Sequence, residues 1–108
     1  MKTKLLKGNL DLILLSILED TPKYGLEIIG EARGRTNGYF KFGEGSLYPA
    51  LHRLEKNKLV KAEYQPSDSG GPQRKYYHLT AKGEKYLAKE REDYDTFHSA
   101  VKALWGTE

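Results

Sequence analysis

The segment from Gly45 to Glu55, GSLYPALHRLE, constrains the fold of this chain more than any other stretch. Leu47, Leu51 and Leu54 recur at the spacing of one helical face, which predicts an amphipathic helix with a buried leucine stripe. Such a helix must pack its apolar face against a domain core, while its other face stays free to meet solvent or a ligand.

The free face of this helix is basic, aromatic and rich in hydrogen-bonding groups. In chain order it carries Tyr48, Pro49, His52, Arg53 and Lys56. Ser46 is the predicted N-cap, which places Pro49 at the third helical position, where its missing N–H removes no intrahelical bond. A helix of this kind can read a DNA major groove. An ordinary amphipathic surface helix has the same apolar repeat, so the segment alone does not separate the two interpretations.

A β-hairpin is predicted directly after this helix. The stretch from Val60 to Gln65 alternates apolar and polar residues, the period of a half-buried strand. Residues 66–72, rich in Pro, Ser and Gly, predict a loop. The stretch from Arg74 to Leu79 (RKYYHL) is a second strand dense in tyrosine, and Thr80 is predicted to cap a further helix. Helix, strand, glycine-rich loop and strand in this order predict a winged helix-turn-helix, with its helix in the major groove and its wing along the DNA backbone.

Three residues at the base of the predicted wing, Gln73, Arg74 and Lys75, are expected to meet phosphates or the minor groove. Charged residues on a hairpin edge also discourage aggregation, which is the alternative role for Arg74 and Lys75. The basic helix that precedes them favours DNA contact.

Composition agrees with a small polyanion-binding protein. The chain has 108 residues and a net charge of +3. Lys and Arg outnumber Asp and Glu by seven to four in residues 41–80, against six to five before that segment and five to six after it. The positive excess therefore lies in the segment of the helix and hairpin.

The chain contains no cysteine, which excludes disulfides and thiolate metal sites and favours a reducing compartment, the cytoplasm. No signal peptide is recognised, and the apolar run at 10–18 is too short to span a membrane. We therefore expect no membrane association.

The first helix is predicted to begin at Asn9 as its cap and to be apolar nearly all round through Leu18. A helix of this composition must be buried on two sides. A small domain can bury one side of the helix, and packing against a partner chain is the simplest way to bury the other side.

The last helix is predicted from Ala81 to Leu104 and would be roughly 36 Å long at ~1.5 Å per residue. The preceding domain would be only ~25–30 Å across, so the helix is expected to overhang it. Apolar residues recur along it with coiled-coil spacing, and Glu90 fills the missing position. A long helix lying on its own core is the alternative. The predicted dimer interface is Leu10, Leu14, Leu87, Tyr94, Phe97, Val101 and Leu104. A two-fold dimer would place two recognition helices about one DNA turn apart.

Together these features predict a mainly α protein with a small β-hairpin, of the α+β class. Residues 1–80 form a winged helix-turn-helix DNA-binding domain, and residues 81–108 form a C-terminal dimerisation helix.

The sequence resembles the PadR family of bacterial transcriptional regulators from residue 5 to about residue 85. The resemblance is carried by Tyr24-Gly25, by GSLYPAL at 45–51 with HRLE at 52–55, by Leu59-Val60, and by RKYYHLT at 74–80 followed by Gly83. The LYPAL and RKYY strings in this order are specific. The single C-terminal helix resembles the short subfamily, in which this helix exchanges with that of the partner.

The resemblance implies a homodimer that binds operator DNA and represses nearby genes, often genes of drug efflux or detoxification. It places Ser46, Tyr48, Pro49, His52 and Arg53 in the groove-facing helix, and Arg74 and Lys75 at the DNA backbone. Some short-form relatives hold flat hydrophobic drugs between their C-terminal helices through a tryptophan from each chain. This sequence departs from that pattern, since the matching region offers Tyr94 and Phe97 while Trp105 lies near the helix end. The departure counts against a drug pocket of that kind and favours Tyr94 and Phe97 as packing residues of the dimer interface. If a small hydrophobic effector exists, it is expected at the dimer interface around Tyr94, Phe97 and the first helix.

Two other classes of function are alternatives to DNA binding. A winged helix can serve as a protein-interaction module that never touches DNA, but the basic outer face with His52, Arg53 and Lys56 favours DNA. An enzyme is not expected, because the three histidines lack metal-ligand spacing and no glycine-rich phosphate loop or catalytic constellation is present. No catalytic residue, metal or cofactor is predicted.

Overall fold

Four helices and a small antiparallel sheet build the protein, and the computed structural model describes residues 3–67 and 70–106. The elements in chain order are α1 (Thr3–Ile17), β1 (Lys23–Tyr24), α2 (Gly25–Arg35), α3 (Glu44–Lys56), β2 (Val60–Gln65), β3 (Arg74–Leu79) and α4 (Ala81–Ala103). The mostly helical winged-helix fold confirms the predicted class.

The sheet has three strands in the order β1-β3-β2. The predicted hairpin is present, with Val60 opposite Leu79 and Gln65 opposite Arg74. Residues 68 and 69 of its predicted loop lie outside the described residues. The sequence did not reveal β1, because its two residues, Lys23 and Tyr24, are too few to show an alternating pattern.

The leucine stripe of α3 lies at the centre of the core, as predicted. Leu47, Leu51 and Leu54 are completely buried. They pack with buried side chains of every other helix, among them Leu14, Leu15, Leu18, Ile28 and Leu87. Because this face is buried, the opposite face of α3 lies at the surface of the protein.

Two predicted helix starts were wrong. The N-cap of α3 is Gly43, whose carbonyl accepts hydrogen bonds from the N–H groups of Ser46 (3.2 Å) and Leu47 (3.0 Å), so Ser46 lies inside the helix. Pro49 is therefore the sixth helical residue, and it removes one helical hydrogen bond. Likewise α1 begins at Thr3, and the side chain of Asn9 donates to the carbonyl of Leu5 (2.9 Å) from within the helix rather than capping it.

The junction between the wing and α4 is tightly built. Thr80 caps α4 as predicted, since its hydroxyl accepts a hydrogen bond from the N–H of Gly83 (2.9 Å). The same hydroxyl donates to the carbonyl of Lys58 (2.7 Å). A Cβ built on Gly83 would lie 2.0 Å from the carbonyl oxygen of Leu59. Only glycine fits here, and the close approach fixes where α4 leaves the domain.

Beyond this junction α4 extends away from the core. Leu87 is its last fully buried residue, and from there to Ala103 only Glu90 and Val101 are partly buried. The described part of the molecule measures 59 × 29 × 21 Å, which agrees with the predicted overhang. No described helix combines the length and the apolar character that crossing a membrane requires.

Three residues of the predicted dimer interface lie in the core of their own chain. Leu10, Leu14 and Leu87 are 8%, 0% and 2% exposed. They offer almost no surface to a partner, because α1 packs against α2, α3 and α4 and all three side chains belong to the buried core. The sequence identified these positions as apolar but assigned them the wrong neighbour.

Candidate nucleic-acid interface

The outer face of α3 is exposed along its whole length. Ser46, Tyr48, Pro49, His52, Arg53 and Lys56 are all exposed, as is Gln73 at the wing base. Within the described residues, His52 and Lys56 form no side-chain hydrogen bond or ion pair. Their donors are therefore free to bind an incoming ligand.

A groove of about 480 Å³ lies beside this face, where α2, α3 and the wing meet. Its lining is Tyr24, Gly25, Leu26, Glu44, Tyr48, Arg74, Lys75 and Tyr77. The fold thus brings the predicted helix residue Tyr48 together with the predicted wing residues Arg74 and Lys75. Two cations and three tyrosines line this groove beside one carboxylate, that of Glu44, and its positive excess suits it to phosphate groups.

Arg74 is held in this groove by an aromatic pair. Its guanidinium carbon lies 4.4 Å from the ring centre of Tyr24. Tyr24 in turn contacts the ring of Tyr76 edge-on, with 5.4 Å between ring centres. Tyr24 was not among the predicted site residues. Its position beside the wing depends on the pairing of β1 with β3, and a strand of two residues is too short to be predicted from an alternating pattern.

Lys75 lies between the wing and the end of α3. Its Nζ is 3.8 Å from Oε1 of Glu55 and 5.6 Å from the ring centre of Tyr77. Burial raises the pKa of the Tyr77 hydroxyl, an effect that nearby Lys75 opposes. Both wing cations are therefore oriented by neighbours, which lowers the entropy they lose when they bind an anion.

Tyr48 reaches from α3 to the first residue of α2. A Cβ built on Gly25 would lie 2.2 Å from the Tyr48 hydroxyl oxygen. The missing side chain of Gly25 thus creates the space that the phenol ring occupies at the edge of the groove.

Arg53 is on the other flank of α3, away from the wing. Its Nη2 donates to Oδ1 of Asp11 on α1 in a salt bridge. Of the nine predicted DNA-binding residues, seven are exposed, whereas Arg74 and Lys75 are half-buried and line the wing groove together with Tyr48.

The described residues contain no cluster of His, Cys, Asp or Glu that would hold a metal ion. The cations and hydrogen-bond donors of α3 and the wing are suited to binding a polyanion.

A second surface lies on α4. Tyr94, Phe97, Leu104 and Trp105 are exposed apolar side chains on or just after its overhanging part. The ring of His98 stacks on Tyr94 with 4.0 Å between centres and meets Phe97 edge-on at 5.5 Å. Next to this aromatic cluster, a second groove of about 480 Å³ opens between α1, α2 and α4, with Leu5, Leu12 and Tyr39 in its lining.

Comparison with known proteins points to one family of transcriptional regulators. Residues 14–89 match the model of the transcriptional regulator PadR-like family. An uncharacterized protein of Lysinibacillus sphaericus is 37% identical over 89 residues, which span 82% of this chain and 81% of that protein.

Solved structures of regulators share the fold over nearly the whole chain. A transcriptional regulator from Clostridium thermocellum superimposes with a TM-score of 0.86 at 29% identity, covering 98% of this chain and 99% of that one. A PadR-like transcriptional regulator from Bacillus cereus superimposes with a TM-score of 0.83 at 32% identity, covering 98% and 100%.

Proposed function

Because this chain belongs to the PadR-like family of transcriptional regulators, we propose that it is a homodimeric repressor that binds operator DNA through α3 and the wing. Membership in a family of transcription regulators also means that it is not an enzyme. The observation that supports the proposed binding mode is the convergence of Tyr48, Arg74 and Lys75 in one groove beside the exposed face of α3.

In this mode the outer face of α3 enters the major groove. Among the described residues, His52 and Lys56 have no side-chain partner, and Arg53 has N–H groups that Asp11 does not use. These side chains select the base sequence, while Arg74, Lys75 and Gln73 at the wing bind the backbone. Ser46, Tyr48 and Pro49 lie in the N-terminal half of α3, which in this mode is the part of the helix closest to the duplex.

Dimerisation is proposed through the overhanging part of α4. Phe97 is 65% exposed and Leu104 is 84% exposed, and large apolar side chains repeated along one helix are suited to a helix–helix seam. Tyr94 and the partly buried Val101 continue the same face. This assignment gives a boundary after residue 80, between the proposed DNA-binding part and a C-terminal dimerisation part built on α4 (Ala81–Ala103).

A small hydrophobic effector is proposed to bind next to this seam. The groove between α1, α2 and α4 supports the proposal, because aromatic and aliphatic side chains such as Leu12, Tyr39 and Tyr94 line it. A ligand there would change the angle between α4 and the winged domain, and with it the spacing of the two recognition helices.

The test is a fluorescence-anisotropy titration of DNA from upstream of the protein's own gene, beside a scrambled duplex of equal composition, at two salt concentrations. We expect tighter binding to the upstream duplex that persists at the higher salt. In vitro transcription from the same promoter should then fall as protein is added. Equal binding to both duplexes that vanishes with salt would contradict self-regulation. Absence of any DNA binding would favour the winged-helix protein-interaction module instead.

A further inference from the structure

Asp11 and Arg53 are 42 residues apart in sequence and form a salt bridge between α1 and α3. From this contact we infer that Asp11 is a positioning residue for DNA recognition, which sets sequence selectivity by holding the guanidinium of Arg53. The inference rests on the proposed function, and it concerns how the reading helix distinguishes an operator from other DNA.

In this salt bridge Asp11 orients the side chain of Arg53, which can still contact DNA. Only the Nη2 group of Arg53 donates to Asp11, and a guanidinium has five N–H donors in a rigid plane. Arg53 remains 52% exposed while Asp11 is 31% exposed. The donors that Asp11 does not use therefore remain available for bidentate contact with O6 and N7 of guanine, and the bond to α1 restricts the plane in which they lie.

The carboxylate has a second effect on any DNA that approaches. A negative charge at the flank of α3 repels phosphates, and it offsets the positive charge of Arg53. Binding to DNA without the correct base is thereby weakened, whereas a base contact made by the oriented guanidinium is retained. Both effects raise the ratio of specific to non-specific affinity.

Other basic side chains on this surface have a different arrangement. Lys75 is 3.8 Å from Glu55, and its ammonium acts as a point charge without a fixed plane. His52 and Lys56 have no carboxylate partner among the described residues. Of the cations on α3, Arg53 is thus the one whose geometry is set by a neighbouring helix.

The experiment compares the wild-type protein with Asp11→Ala, Arg53→Ala and the double variant. Each is titrated against the upstream duplex and the scrambled duplex at two salt concentrations. Glu19→Ala is the matched control, because Glu19 also pairs with an arginine, Arg91, but lies on neither α3 nor the wing. Thermal unfolding of each variant checks that the fold is intact.

We expect Arg53→Ala to lower the specificity ratio by roughly 5- to 100-fold, the range for loss of one bidentate base contact. Asp11→Ala should lower the ratio by roughly 3- to 10-fold, with tighter binding to the scrambled duplex. In the Arg53→Ala background the Asp11 substitution should lower the ratio by less than it does in the wild type, because the orienting effect of Asp11 acts through Arg53 whereas its repulsion of phosphates does not. Glu19→Ala should leave the ratio unchanged.

The inference is overturned if Asp11→Ala leaves the ratio at the wild-type value, or if it lowers the ratio equally with and without Arg53. A wild-type protein that shows no preference for the upstream duplex would instead count against the proposed function, and the inference would fail with it.

Discussion

The hydroxyl of Tyr48 occupies the space next to Gly25 where any other residue would place its Cβ, which would lie only 2.2 Å from the hydroxyl oxygen. Through this contact the first residue of α2 determines where the phenol ring lies at the edge of the wing groove. The recognition face therefore depends on a backbone position in another helix.

Replacing Gly25 by alanine is expected to displace Tyr48 while leaving the fold intact. The atoms that would clash belong to the far end of a side chain that can move, so the free energy of unfolding should change by less than about 1 kcal/mol. Affinity for the specific duplex should fall about 5- to 10-fold, or about 1–1.4 kcal/mol. Anisotropy titration and thermal unfolding test this, with Gly30→Ala on the same helix as the control. Nothing lies within 4 Å of a Cβ at Gly30, and equal effects of the two substitutions would refute the role of Tyr48.

Lys75→Ala should weaken binding to all duplexes alike. If the ammonium contacts a phosphate, its removal lowers the slope of log K against log salt by about one and leaves base preference unchanged. The measurement is a salt titration of the affinity for both the specific and the scrambled duplex. Lys61→Ala on β2 is the comparison, since Lys61 is exposed and lies outside the groove. A loss confined to the specific duplex would mean that the wing reads bases.

Polar substitutions on the overhanging helix should dissociate the proposed dimer. Phe97→Ser together with Leu104→Ser removes two large apolar side chains from the exposed face of α4. Each buried aromatic or leucine side chain contributes about 1.5–3 kcal/mol, so the dimer dissociation constant should rise at least 100-fold. Sedimentation velocity over a concentration series measures this. Tyr64→Ser, at an exposed aromatic on the wing, should leave the oligomeric state unchanged. A monomeric wild-type protein would contradict the prediction.

Lys23 is expected to be important for stability although it is a charged residue. It is 4% exposed, and its ammonium donates to the carbonyl of Ile17 at 3.0 Å and to the carboxylate of Asp20 at 2.7 Å. Lys23→Met removes these bonds from the C-terminal end of α1 and should lower the free energy of unfolding by about 1–3 kcal/mol. Urea denaturation at one fixed protein concentration measures the loss. The exposed Lys7→Met should change it by less than about 0.5 kcal/mol.

The titration of Glu19 should report its contact with α4. Two hydrogen bonds from Arg91, at 2.7 and 3.0 Å, hold the pKa of Glu19 below its ordinary value. A carboxyl with a lowered folded-state pKa adds stability above its unfolded pKa of about 4.3, and this is lost as the pH falls through the folded-state pKa. In Arg91→Gln the pKa should return to the ordinary range, and less stability should be lost on acidification. Carbon-13 NMR titration of the carboxyl measures it. A Glu19 pKa that does not rise would show that the pair is absent in solution.

Local periodicity was enough to predict the principal elements. The leucine spacing at 47, 51 and 54 located the buried face of α3, and the alternation at 60–65 located the first strand of the wing. Thr80 could be predicted as a cap because its hydroxyl and the N–H group of Gly83, which donates to it, are only three residues apart. These features can be predicted from sequence because each depends on residues only a few positions apart in the chain.

Part of the geometry of the candidate site was predicted. The outer residues of α3 were expected to be exposed, because a face opposite a buried stripe must face solvent, and the structure confirms that exposure. Their contact with DNA, and that of the wing cations, stays a prediction. Tyr24 was missed, since its contact with Arg74 requires the pairing of β1 with β3. The start of α3 was misplaced because Gly43 caps the helix through its backbone, which has no side-chain signature.

The sequence by itself thus determined which faces are apolar, which segments are helix and strand, and which family the chain resembles. Only the tertiary structure decided what covers each face: Leu14 and Leu87 pack within their own chain rather than against a partner, and Arg53 pairs with Asp11 across 42 residues. The reason is physical. A periodic pattern specifies the direction in which a side chain points on its own element, whereas its neighbour is chosen by how the elements pack together to fill one core.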